Sequence, residues 1–391
     1  MISERMPLSG NLAVAYAVKA CNVDVFALYP ITPQVEISEQ FGQFLANGET
    51  DAQFIPVESE HSAISASIGA SATGARSFTA TASQGLALMH ECLPIASACR
   101  LPIVMAVANR ALSAPINIHC DHTDTMSSRD CGWVQIFASS AQEAYDSVIQ
   151  SYKLAERDEI SLPVMVCYDG YIISHTYEAV LINKEEDIIA FAPKNVKRIL
   201  DPDNPTTVGI FTMPDYHYEF RYQVVDALNK VPNSLTNIDK EFKETFGRGY
   251  GLYETYKIED AEVVMVAMGS IACTAKVVVD ELQKNGKKVG LFRPRLFRPN
   301  PTEEWRKILS NAEVLMVVDR SMAAGSTLSP LMLDINGAFM NEKSRPLFKN
   351  FTAGIGGRDV TTLDIKNMFL KTIEAYKNDN IGNSCEYYGV R

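Results

Sequence analysis

Four short stretches carry side chains whose types and spacing suit chemistry on a small anionic ligand. In YPITP (Tyr29 to Pro33) two prolines flank Ile31–Thr32. Proline fixes its own φ and restricts the residue before it, so Thr32 is expected in an extended turn that holds its hydroxyl rigidly. PVESEHSA sets Glu58 and Glu60 at the junction of a strand and a helix built from Ala, Ser and Gly. Glu60 has little polar company there and is expected to be partly buried. A buried, unpaired carboxylate must neutralise or find a partner. Glu58 reads as a helix-start charge favoured by the macrodipole. TATASQGLALMH is a strand, a polar turn (Ser83, Gln84, Gly85) and a helix, whose backbone N–H groups are expected to face the same crevice. Finally, VANRALSAPINIHCDHTDTMSSRDCGW begins just past a strand with Arg110, a cation able to grip a carboxylate bidentately. Taken singly, each stretch also has a plain reading: a turn, a helix cap or a salt bridge.

His119, Asp121 and His122 look superficially like a metal cluster. Their spacing fits neither H-E-x-x-H nor a facial triad on a regular element, so they read as a polar loop that lids the site, with no metal assigned. The eight cysteines stand at 21, 92, 99, 120, 131, 167, 273 and 385. None has the C-x₂-C-type spacing of zinc or iron–sulfur sites, and buried free thiols are expected. GIGGRD at 354 is not G-x-G-x-x-G, and no P-loop, nucleophile elbow or kinase signature occurs.

The elements that must position these residues alternate. Up to about residue 180, helices separate the apolar runs VDVFALYP, FIPVE, SFTATAS, PIVMAVAN and LPVMVCY. Continuous apolar runs between helices indicate a parallel sheet covered on both faces. Ligands bind such sheets beyond the carboxyl ends of the strands, where all four stretches fall. From about 181 to 258 the pattern weakens into charge-rich, Pro- and Tyr-containing sequence, expected to be a connecting segment. A second alternation starts near 262 (VVMVAMG, KVGLFRP, VLMVVDR, PLFKNFTAG). The expected architecture is α/β in two domains: 1–258, with a core to about 180 and then the connection, and 259–391.

A net charge of −11 with no Lys/Arg cluster argues against a nucleic-acid or anionic-membrane partner. No apolar run approaches the ~20 residues that span a bilayer. The start, MISERMPLSG, lacks an apolar h-region, so a cytoplasmic location is expected.

Taken together, YPITPQVEISE, VESEHSAISASIGASATGAR, SFTATASQGLALMHE, LPIVMAVANRALSAPINIHCDHTD and RDCGWVQ resemble the alpha subunit of the pyruvate (2-oxoacid):ferredoxin oxidoreductases. VAMGS, GLFRPRLFRP and GIGGRDV resemble the family's transketolase C-terminal-type domain. The resemblance spans nearly the whole chain. It implies a subunit, active only in complex, of an enzyme that decarboxylates pyruvate, passes electrons to ferredoxin and releases acetyl-CoA. The implied cofactor is thiamine diphosphate, held by its pyrimidine in this chain and by its diphosphate and magnesium in another subunit. Iron–sulfur clusters are implied in partner subunits only; those partners are diphosphate-binding, ferredoxin-like and gamma-type chains. The sequence agrees with that division, having no G-D-G followed some 25–30 residues on by Asn.

Residue by residue, Glu60 matches the glutamate that shares a proton with the pyrimidine N1′, making the 4′-amino group acidic enough to act on the thiazolium C2 proton. Thr32 and Arg110 match the substrate-orienting threonine and carboxylate-binding arginine. Pro30 and Ile31 are implied to line the pyrimidine side. Gln84 and Gly85 are added from strand-end position. Oxalate-acting relatives look to have a charged residue where Thr32 stands, and one Arg in a neutral pocket suits a small monocarboxylate better than 2-oxoglutarate. The competing readings are a branched-chain 2-oxoacid:ferredoxin oxidoreductase subunit, a non-catalytic scaffold subunit, and a component of an NAD-linked 2-oxoacid dehydrogenase.

Overall fold

A computed structural model of the chain describes residues 4–391; the first three residues of the N-terminal start weighed above lie outside the described residues. The first half runs β1 (Glu4–Leu8), α1 (Gly10–Ala20), β2 (Val25–Leu28), α2 (Val35–Ala46), β3 (Gln53–Pro56), α3 (Glu60–Ala72), β4 (Ser77–Thr81), α4 (Ser83–Met89), α5 (Leu93–Ala98), β5 (Val104–Asn109), α6 (Thr123–Ser127), β6 (Val134–Phe137), α7 (Ala141–Ala155), β7 (Val164–Asp169), β8 (Glu178–Ile182) and α8 (Glu185–Phe191). The long α9 (Pro214–Phe246) leads into β9 (Tyr253–Tyr256), β10 (Val263–Val266), α10 (Gly269–Lys284), β11 (Val289–Pro294), β12 (Leu296–Arg298), α11 (Thr302–Leu309), β13 (Val314–Asp319), α12 (Pro330–Ala338), β14 (Leu347–Thr352), α13 (Thr362–Lys377) and β15 (Glu386–Tyr387).

Seven strands form the first sheet in the order β12-β6-β7-β5-β4-β2-β3. All its pairings are parallel except β12 with β6. Every residue of β4, β5 and β7 is buried, because helices cover both faces and apolar runs such as VMAVAN lose water on each. The second sheet has the order β15-β14-β13-β10-β11-β9, parallel except at β9. A small β1–β8 ribbon stands apart.

The two sheets share a core. One apolar cluster joins Met105, Phe137 and Phe297 of the first to Val264, Phe292 and Leu315 of the second, with Trp305 of α11. Two buried arginines, Arg293 on β11 and Arg295 just beyond it, each reach Glu143 on α7 at 3.1 Å. Burial alone would raise the Glu143 carboxyl, but the two guanidinium groups outweigh it and hold it below the ordinary range.

Two segments differ from the sequence reading. The helix read in TATASQGLALMH already begins at Ser83, so the expected turn is the first turn of α4, and Pro94 starts a separate helix at α5. The connecting segment holds a 33-residue helix, α9, in spite of Pro232 inside it. Beyond its first ten residues it buries Val224, Ala227, Val231, Leu235, Ile238 and Phe242, at helical spacing, against α5 and α7. That stripe offsets the lost backbone bond at proline, which costs ~3 kcal/mol.

Candidate active site

The parallel strands bring the carboxyl ends of β5, β4, β2 and β3 side by side, and Thr32, Glu60, Gln84, Gly85 and Arg110 each sit just past one of them. Glu60 is the first residue of α3, capped by Ser59, whose hydroxyl accepts from Ser62 N. The small-residue helix lets α3 lie close to the sheet, and Glu60 is 6% exposed. Among the described residues its carboxylate has only its own backbone N–H as a partner, and burial pushes its proton affinity up. Glu58, two residues earlier, is exposed and accepts a hydrogen bond from the Ser62 hydroxyl. Hydrogen bonding holds it below the ordinary range, as suits a helix-start charge.

Gly85 packs directly on Glu60. A β-carbon there would stand 2.6 Å from Glu60 Oε1 and would also strike the Thr81 hydroxyl, so the close approach requires glycine. The Thr81 hydroxyl is itself buried without a partner among the described residues. Gln84 is half-buried, and its Oε1 lies 2.6 Å from the Ser83 hydroxyl. The turn is not the open N–H cradle expected from the sequence. Ser83 N donates to Asp124 at 3.0 Å and Gly85 N to Ala82 O at 2.9 Å, so these amides fasten the turn and do not face a crevice.

Arg110 is 7% exposed. Its Nη1 donates to Thr32 O and its Nε to Asn117 O, each at 2.9 Å. Both partners are neutral carbonyls, so the salt-bridge reading is replaced: the guanidinium is oriented without being neutralised, and Nη2 has no partner among the described residues. The structure thus joins Arg110 to Thr32, whose peptide bond to Pro33 is cis. Ile31 is half-buried and Pro30 exposed at the same edge.

Asp124, which carried no signal in the sequence, links the two groups. Fully buried on α6, it accepts from Ser83 N (3.0 Å), Arg110 N (2.9 Å) and Asn109 Nδ2 (2.8 Å). One carboxylate therefore fixes the ends of β4 and β5 together. Burial still lifts its proton affinity above the ordinary value in spite of those bonds.

His122 does not point at these groups. Its Nε2 meets Asp169 Oδ1 at 2.7 Å, and Asp169 Oδ2 accepts from Ser270 N (3.0 Å) and Ser270 Oγ (2.5 Å) of the second sheet's unit. Arg320 Nη1 stands 3.5 Å from the same oxygen. Burial works to raise the Asp169 carboxyl, but Arg320, His122 and Ser270 together hold it well below the usual range. Ligand atoms of Cys120, His122 and Asp169 lie within 4.8 Å of one another. The buried Arg320 cation beside them marks the group as an ion-paired fastening between the two units. A cavity of about 720 Å³ lies between α5 and the start of α9, away from Glu60.

Two helix-covered parallel sheets, with polar side chains gathered at the strand ends of one, define the class of α/β protein that binds an organic ligand at that edge. The family model described as pyruvate flavodoxin/ferredoxin oxidoreductase, thiamine diphosphate-binding, matches residues 16–240, and that of pyruvate:ferredoxin oxidoreductase core domain II matches 261–365. Pyruvate synthase subunit PorA of Methanocaldococcus jannaschii is 48% identical, over 95% of this chain and 96% of the relative. Ketoisovalerate oxidoreductase subunit VorA of Pyrococcus horikoshii is 44% identical, over 98% of each. Among solved structures, the 2-oxoglutarate:ferredoxin oxidoreductase of Magnetococcus marinus superposes with a TM-score of 0.75 at 20% identity, covering 94% of this chain and 65% of that longer one. A split-gene transketolase gives 0.54 at 13% identity, covering 94% and 99%.

The chain belongs to the pyruvate:ferredoxin oxidoreductase family, and its first domain is of the family's thiamine diphosphate-binding type. The resemblance read from the motifs and the expected α/β fold class are both borne out. Glu60, a buried carboxyl with raised proton affinity and no side-chain partner among the described residues, fits the pyrimidine end of that cofactor.

Proposed function

We propose that the chain is the pyrimidine-binding subunit of an enzyme that reversibly converts pyruvate and CoA to acetyl-CoA and CO2 with ferredoxin as electron acceptor, working only in complex. The observation that carries this reading is Glu60, buried beside Gly85 with no side-chain partner among the described residues. When bound, thiamine diphosphate supplies the nucleophilic carbon and the electron sink that a 2-oxoacid needs to lose CO2. Glu60 holds a proton at a carboxyl oxygen and shares it with the pyrimidine N1′. Burial keeps that proton's affinity high enough for the exchange to run in both directions.

Arg110 receives the substrate carboxylate on the guanidinium edge its two carbonyl partners leave free. Thr32 orients the substrate, Pro30 and Ile31 line the apolar side, and Gln84 and Gly85 form the floor beside Glu60. A single cation suits a monocarboxylate such as pyruvate. Tyr29, Pro30, Ile55 and Leu88 are exposed on elements that border this edge. That supports cover by a partner subunit bringing the diphosphate and magnesium site, with iron–sulfur clusters in ferredoxin-like and gamma-type subunits. Among the described residues no helix is long and apolar enough to cross a membrane; a cytoplasmic location and the lack of a nucleic-acid partner belong to the same proposal.

The 44% identity to a ketoisovalerate oxidoreductase subunit favours one second reading, a branched-chain 2-oxoacid substrate. Co-purification with partner subunits, then assay with CoA and oxidised ferredoxin, separates the two. Pyruvate is expected to give the higher kcat/KM; a higher value for ketoisovalerate transfers the assignment. NAD replacing ferredoxin as acceptor would contradict both. The isolated chain is expected to be colourless and inactive.

A further inference from the structure

The loop Ala111–His122 leaves the end of β5 and crosses to the second sheet's unit, where backbone and side chain tie it down repeatedly. Asn117 Nδ2 donates to Gly356 O at 2.8 Å, Gly356 N to Asp121 Oδ2 at 3.2 Å, Gly357 N to Cys120 O at 2.7 Å, and His122 N to Arg320 O at 2.8 Å. The turn it meets is the GIGG segment that matches no nucleotide motif. Gly356 and Gly357 have φ of +61 and +77. A β-carbon on Gly356 would lie 2.5 Å from Asn117 Nδ2, and one on Gly357 would strike the His119 side chain. Only glycine allows these two loops to approach so closely.

Asn117 stands at the centre of this contact. Its Oδ1 accepts from His119 N at 2.8 Å, which sets the local turn. Its Nδ2 reaches across to Gly356, and its main-chain carbonyl accepts the Nε proton of Arg110 at 2.9 Å. The guanidinium therefore rests on two carbonyls, Thr32 O from its own sheet edge and Asn117 O from a loop whose place is set by the other unit. From this geometry we infer that Asn117 is a positioning residue for substrate binding, through which the Gly356–Gly357 turn of the second unit aims Arg110 at the substrate carboxylate. The inference rests on the reading of Arg110 given above. It assigns the second unit a part in the site although none of its side chains touches Arg110 in the bonds described.

The test uses the assembled enzyme complex with Asn117→Asp, Asn117→Ala and Arg110→Ala in parallel. Asn117→Asp keeps the acceptor for His119 N, so it preserves the turn where Asn117→Ala does not, and it breaks the bridge by setting a carboxylate oxygen against Gly356 O in place of the donor. Both Asn117 variants are expected to raise KM for the 2-oxoacid roughly tenfold, the scale of one misdirected charged hydrogen bond, with KM for CoA unchanged. Substrate-free hydrogen–deuterium exchange at the cofactor's C2 position, which depends on Glu60, should stay at the wild-type rate. An unchanged KM, or a KM rise accompanied by an equal fall in that exchange, would overturn the inference, the second outcome marking a merely structural residue. If Arg110→Ala also leaves KM unaltered, the underlying reading of Arg110 fails. If Arg110→Ala raises KM and the Asn117 variants do not, only the positioning role falls.

Discussion

Glu60 and Asp169 are both carboxylates at the carboxyl ends of strands of the same sheet, Asp169 closing β7 and Glu60 just past β3, and both are buried, at 6% and 0% exposure. Their company differs. Asp169 is met by His122, Ser270 and Arg320 and is held ionised well below the ordinary range. Glu60 faces Gly85 and the unpartnered Thr81 hydroxyl and is pushed up. Burial acts against the charged form in both, and the supply of donors and cations decides the sign. The satisfied carboxylate fastens the two units together, and the unsatisfied one is the group we propose for the ligand.

The comparison breaks most sharply under Glu60→Gln. Glutamine keeps the size but cannot share a proton, and turnover of the assembled enzyme should fall by about a hundred- to ten-thousandfold, the range of general acid–base assistance. Denaturant unfolding should show no loss of stability. Asp169→Ala should do the reverse, leaving Arg320 buried without its counter-charge at a cost of about 3–5 kcal/mol, read from the unfolding midpoint. Gly85→Ala tests the contact between floor and acid. The added methyl must displace Glu60 or β4, which costs about 1–3 kcal/mol, and turnover should fall with it.

The smallest effect is in the pH dependence of stability, and its sign differs between the two acids. The depressed Asp169 contributes stability in full above the ordinary carboxylate range, and that contribution is lost as pH falls through its lowered pKa. The raised Glu60 costs stability as pH climbs from its ordinary value through its raised one. Glu60→Gln should therefore have a Tm slightly above wild type at neutral pH, and the gap should close in acid.

The strands and the edge at which the site lies were legible because buried parallel strands write continuous apolar runs, and PVESEHSA sets an acid where a small-residue helix offers it no partner. Gly85 was reached from strand-end position alone, and its contact with Glu60 gives that position a physical reason. Asp124 was not legible: it sits among other polar residues in TDTMSS, and its partners at 83 and 110 are brought to it only by the fold. His122 was read as part of a lid, and its bond to Asp169 depends on a residue 47 positions away. The length of α9 was hidden by Pro232 and by ten exposed residues ahead of its buried stripe.

The central claim concerns the proton on Glu60. Isotope-edited infrared difference spectra, wild type minus Glu60→Gln on the cofactor-free protein, would follow that single carboxyl through a pH titration. Its midpoint should lie above the ordinary glutamate value of 4.5; a midpoint at or below that value would contradict the account.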